Sequence, residues 1–182
     1  MTTSPLLALP ATPLATRQPL RSQHGVTSKP YVYVGLGLFG LFLLQYGLGI
    51  KLTWLAHWQQ LLLYKQLTGF GMALYIFLQW RLGLTKINNQ TRRIASTYRW
   101  HKSLGALAPL MFFMHSMHWG YAYQMLLSIA YFGNFLCGLC NPEVLGVVQR
   151  RLRTGWLCLH IGLAVLTVSV MLFHIYVVYW YA

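Results

Sequence analysis

Residues 101–118 read H-K-S-L-G-A-L-A-P-L-M-F-F-M-H-S-M-H, and residues 160–174 read H-I-G-L-A-V-L-T-V-S-V-M-L-F-H. His101 and His115 are fourteen positions apart, and so are His160 and His174. Lys102 is the one charged residue in either stretch. On an α-helix, fourteen steps of about 100° return to within roughly 40° of the starting direction, so each pair shares a face. The same steps rise roughly 21 Å, most of the thickness of a bilayer's hydrocarbon core. Two such helices side by side present two facing histidine pairs, one toward each membrane surface.

The composition supplies the solvent for these helices. Of 182 residues, 57% are hydrophobic and 8% charged, against about 25% charged in a soluble domain; the mean hydropathy is +0.49. These values predict an all-α polytopic membrane protein embedded in a lipid bilayer. Fourteen Lys and Arg face a single acid, Glu143, for a net charge of +13. In a soluble chain that balance would suggest nucleic acid. Here the bases fall between the apolar runs, where membrane orientation and anionic lipid account for them, so no nucleic-acid partner is expected. Three cysteines do not make a disulfide framework, and Cys137-Gly-Leu-Cys140 is followed by Asn141 rather than His. Covalent c-type haem attachment is thereby disfavoured. Cys137 and Cys140 read as small packing residues at a helix end.

Five apolar runs follow one another. Residues 1–29 mix Pro, Ser and Thr with Arg17, Arg21 and Lys29 and read as a disordered basic tail; a secretory signal is not expected, because no base precedes the short apolar stretch Leu6–Leu9. Residues 30–182 form the membrane domain. The first span covers about 31–50; its G-x-G-x-x-G (Gly35, Gly37, Gly40) lacks a preceding strand and reads as a helix-approach surface rather than a nucleotide site. Residues 51–60, with Trp54, His57 and Trp58, read as interfacial. The second span covers about 61–84, with Lys65 and Arg81 near its ends, and 85–100 reads as a basic loop. The third span is about 101–118 and the fourth about 122–139, with a turn at Trp119-Gly120-Tyr121 and a stop at Asn141-Pro142. The fifth begins near Gly155.

The Lys and Arg counts orient these spans. With the N-terminus inside, twelve bases lie on the cytoplasmic side and two outside, so the positive-inside rule predicts five spans, N-terminus in and C-terminus out. Spans three and five then run parallel. His101 pairs with His160 near the inner surface, and His115 with His174 near the outer one.

Two facing imidazoles at each of two depths suit two six-coordinate b-type haems, stacked between spans three and five. A haem also needs a flat apolar slot and cations for its propionates. Gly105 and Gly162 read as places where a macrocycle approaches the backbone. Arg99, Lys102, Arg150 and Arg153 read as propionate partners, and Phe112, Phe113, Phe173 and Tyr176 as slot walls. A lone intramembrane histidine is often a helix–helix hydrogen bond; four at one spacing on parallel spans point to ligation. His118 reads as a substitute outer ligand or a proton-handling group, and His24 and His57 as surface residues.

The doubled H-x13-H and the local H-K-S-L-G after a basic stretch resemble the ferric-reductase-like transmembrane domain family. That family spans ferric reductases, NADPH oxidases and the haem-binding subunit of the periplasmic methionine sulfoxide reductase system. The likeness covers roughly residues 31–181. It implies that His101, His115, His160 and His174 are haem ligands. It also implies that electrons pass from a cytoplasmic or membrane donor (a flavoprotein or a quinol) to an outer acceptor such as ferric iron, oxygen or a periplasmic reductase. A bacterial inner membrane or an organellar membrane is the expected location. Eight residues follow His174, too few for the family's sixth span or a flavin domain, so the donor is expected to be a separate molecule. Two other readings stand beside this one: a quinol-oxidising cytochrome b-like subunit, and a non-catalytic or metal-binding membrane subunit.

Overall fold

A computed structural model describes residues 29–88 and 91–181. The expected tail, Lys29 apart, lies outside the described residues, as does His24. The described chain is all-helical, with no strand: α1 (Pro30–Gly47), α2 (Thr53–Gln60), α3 (Leu62–Ile87), α4 (Thr91–Gly105), α5 (Ala108–His115), α6 (Tyr123–Leu139) and α7 (Arg150–Trp180). α1 and α7 are each long and apolar enough to cross a membrane, and the α2–α3 pair is a third candidate if its bent helices form one span.

α1 opens on Pro30, whose fixed φ and missing N–H suit a first helical turn. Its Gly35 meets α6 closely: a Cβ there would stand 3.0 Å from a Leu139 methyl. Gly37 and Gly40 face open space, so one glycine of the G-x-G-x-x-G, not all three, serves as an approach point. α2 meets α3 at a 92° bend through Leu61, whose backbone is extended. Leu55 is fully buried while Trp54, His57 and Trp58 stay exposed, the pattern of an interfacial helix with an aromatic belt.

The segment expected as a basic loop at 85–100 is mostly helix. α3 continues to Ile87 and α4 is helical from Thr91. The charged positions of α4 share a strongly amphipathic helix, which polar periodicity permits as readily as a loop. The expected third span is also not one helix. α4 ends at Gly105 and α5 begins at Ala108, because Pro109 has no N–H to continue the ladder. Two tyrosine hydroxyls serve this break: Tyr75 of α3 donates to the Leu104 carbonyl, and Tyr131 of α6 donates to the Ala108 carbonyl, each at 2.9 Å. In hydrocarbon, loosened backbone of this kind needs partners from neighbouring helices. α5 stops at His115, so His118 lies beyond the helix.

The core lies where α1, α5 and α6 meet. Phe42, Phe112 and Phe132 have ring centroids 4.7 to 5.5 Å apart, each such pair worth about 0.5–1.5 kcal/mol beyond its buried area. The chain turns between α5 and α6 with positive φ at Gly120 (77°) and Ala122 (50°). α6 ends at Leu139, before Asn141-Pro142. Asn141 is buried, and its side-chain oxygen accepts from the Glu143 and Val144 N–H groups. α7 buries only Thr167 and Met171 along its length; the rest of its apolar surface faces outward or toward the two cavities described next.

Candidate functional site

His101 of α4 meets His160 of α7 with ring centroids 6.2 Å apart and planes at 86°. His115 of α5 meets His174 of α7 at 6.5 Å and 84°. α4–α5 and α7 therefore run in the same direction, and the histidines pair level with level. Each pair lines its own cavity, of about 470 Å³ at His101–His160 and about 460 Å³ at His115–His174. Both volumes suit a bound small molecule. Tyr131 and Ile76 line both cavities and form the wall between them.

Glycines seat two of the rings. A Cβ at Gly138 would lie 3.2 Å from His160 Cε1, and one at Gly69 would lie 3.3 Å from His115 Cε1. Trp156 stacks on His160 with planes 7° apart and centroids at 5.4 Å, and its indole N–H donates to the Cys137 carbonyl. Tyr123 stands beside His174 at 5.9 Å. The end of α5 is tied down by Gln59, which donates to the Phe113 and Met114 carbonyls, and by Tyr64, which donates to Met114.

The ring nitrogens divide by helix. His101 Nδ1 lies 3.2 Å from the backbone carbonyl of Gln79 on α3. The Gln79 side-chain amide, with its nitrogen toward the ring, lies 2.7 Å from the same Nδ1, and its oxygen accepts from the Gly105 N–H at 3.0 Å. His115 Nδ1 lies 3.1 Å from the Thr68 hydroxyl. On α7, Nδ1 of His160 and of His174 is buried without a hydrogen-bond partner.

The expected surroundings divide as well. Gly105 and Lys102 line the His101 cavity, and Phe112 lines the His115 cavity. Gly162 is exposed and lines neither cavity, because α7 turns that position away from His160. Arg99, Arg150 and Arg153 are exposed and line neither cavity: a charge count places a base at one end of the bundle but says nothing of its reach. Phe113, Phe173 and Tyr176 also stand off the cavities; Phe173 packs on Tyr123 and Tyr176 on Trp180. His118 lines the His115 cavity, while His57 is exposed on α2. Cys137 closes the last turn of α6, Cys140 follows it, and both are free thiols.

Lys102 at the mouth of its cavity is already engaged. Its ammonium lies 2.6 Å from Glu143 and 4.0 Å from the centre of the Tyr98 ring. Tyr98 donates to the same carboxylate at 3.1 Å. The hydrogen bond from Lys102 holds the Glu143 carboxyl below its ordinary value. The far cavity has a base of its own, Lys65, which the sequence places only near one end of the second span.

The donor set tests what these cavities can hold. Two imidazoles bonded at about 2 Å to opposite sides of one metal ion, with ring centres roughly 1 Å further back, stand roughly 6 Å apart. Both observed separations match. Among the described residues no three His, Cys, Asp or Glu converge as a metal site. A bare zinc or copper ion, which wants three or four protein ligands, is poorly served. A haem, which asks the protein for only two imidazoles, would fit this donor set, and each flanking cavity would give it room. No family model, curated protein or solved structure matches the chain.

Proposed function

We propose that the chain is a di-haem b-type membrane cytochrome, similar to the ferric-reductase-like transmembrane domain, that carries electrons across a membrane. The single observation that supports this reading most is the repeated ring separation, 6.2 and 6.5 Å, at two levels of one bundle. In the proposed arrangement α1, α3, α4–α5, α6 and α7 make five crossings, with the N-terminus cytoplasmic. A flavoprotein or quinol donor acts at the basic end, and ferric iron, oxygen or a periplasmic reductase accepts on the other side.

His101 with His160 and His115 with His174 would hold the two haems, and haem iron would supply a one-electron couple. The protein's part is to fix four rings, keep water out with apolar walls, and place a base at each cavity. Lys102 serves one cavity in this role and Lys65 the other. Arg99, Arg150 and Arg153 remain available to an acidic donor surface rather than to the cavities.

A reduced-minus-oxidised spectrum of the purified protein should show a b-haem α-band, with two haems per chain by pyridine haemochrome assay. Absence of the band in protein expressed with ample haem overturns the reading. Rapid reduction by a quinol analogue, abolished by quinone-site inhibitors, would move the assignment to a quinol-oxidising subunit.

A further inference from the structure

We infer that Thr68 is a positioning residue that fixes the tautomer of His115 and thereby sets the redox potential of the site His115 shares with His174. The inference rests on the proposed haem ligation, and its geometry is a two-step relay. The Thr68 hydroxyl donates its proton to the Tyr64 carbonyl at 2.8 Å, the back-bond common for Thr within a helix. A hydroxyl has one proton. With that proton committed, the oxygen facing His115 Nδ1 at 3.1 Å acts as an acceptor. His115 is thus held as the Nδ1–H tautomer with Nε2 bare.

The next residue completes the seat. Gly69 leaves open the space that a Cβ would close to 3.3 Å from His115 Cε1. The pair Thr68-Gly69 therefore supplies one hydroxyl to grip the ring and one missing side chain to admit it. The corresponding grip on His101 comes from Gln79, through its backbone carbonyl at 3.2 Å and its side-chain amide at 2.7 Å from Nδ1. Nδ1 of His160 and of His174 has no such partner. His101 and His115 thus each meet one replaceable side chain of α3, and at His115 that side chain is a hydroxyl whose own proton is committed elsewhere.

An acceptor on Nδ1–H makes the imidazole a stronger donor through Nε2 and favours the ferric state. Thr68→Val keeps the shape and deletes the acceptor. Spectroelectrochemistry of the full-length holoprotein should find one of two midpoint potentials raised. A tenfold change in ferric-over-ferrous preference, the lower end of the usual effect of losing such a partner, corresponds to about 60 mV for one electron. The other potential should stay in place, and Thr68→Ser should restore the first.

Two unmoved potentials in Thr68→Val overturn the inference. If Thr68→Val instead loses one haem, retention in Thr68→Ser supports the hydroxyl's role, whereas equal loss in both variants overturns it. In the haem-free protein, ¹⁵N shifts should report the Nδ1–H tautomer for His115 in the wild type, and the Nε2–H form there overturns the inference. A wild type that binds no haem at all defeats the proposed function, while the ¹⁵N measurement still decides what Thr68 does.

Discussion

The two histidine sites reach nearly the same geometry by different means. Ring separations differ by only a few tenths of an ångström, and both pairs are close to perpendicular. At the basic end, His101 is held by the backbone carbonyl and side-chain amide of Gln79, and His160 stacks on Trp156 and abuts Gly138. The rim there is a network of Lys102, Glu143 and Tyr98. At the other end, His115 is held by a threonine hydroxyl, His174 leans toward Tyr123, and the rim base is the exposed Lys65. Each site thus leans on one side chain of α3, an amide at His101 and a hydroxyl at His115, and the two can be tuned through different residues.

The strongest test of the comparison removes one site and keeps the other. His160→Ala and His174→Ala should each halve the haem-to-protein ratio, from two to one. Loss of both haems in either variant would mean that the sites do not form independently. Next in size is crowding of a seat. Gly138→Val should empty the His160 site and Gly69→Val the His115 site. Each should lower thermal stability by roughly 1–3 kcal/mol, the usual cost of overpacking; normal occupancy in both would show that the close approaches do not matter.

A smaller and shared effect is expected at the helix break. Tyr131→Phe leaves the Ala108 carbonyl without its α6 partner, at about 1 kcal/mol in a membrane setting. Tm in detergent should fall while the two haem spectra change together, because Tyr131 lines both cavities. A change confined to one spectrum would refute the common wall.

The smallest effect concerns acid. Glu143 has its pKa lowered by Lys102 from an ordinary 4.5. Its contribution to stability is therefore complete above about pH 4.5 and is lost as pH falls through the lowered value. Glu143→Gln should flatten the acid limb of a stability–pH curve and leave neutral pH nearly unchanged, because the carboxylate side chain is 49% exposed and screened. An unchanged acid limb would show that the pair contributes nothing.

The histidine pairing was legible in the doubled fourteen-residue spacing, although the segment that carries His101 and His115 is broken into two helices. Helix ends near Gly120 and Asn141 were legible from turn chemistry. The break before Pro109 had its signal in the proline itself, but a run of apolar residues around it masked the stop. Gly138 and Gly69 were not legible. Their role depends on which helix faces which, and a glycine carries no mark of its neighbour. Thr68 and Gln79 escaped for the same reason: each is an ordinary helical residue until α3 lies against α4 and α5. Gly162 and the three arginines lie off the cavity walls, since nearness along the chain or at one end of a bundle does not bring a residue to a cavity.

The broken helix and the unbroken one also differ in how they tolerate a change of length. His160 and His174 ride on one continuous helix of 31 residues, so a residue inserted between them turns everything beyond it by about 100° and carries His174 off its partner. His101 and His115 sit on separate short helices with Ala106 and Leu107 between them. An insertion at that joint can be taken up locally while each histidine keeps its own seat. The bundle thus has one helix that works as a ruler and one helix pair that works as two brackets.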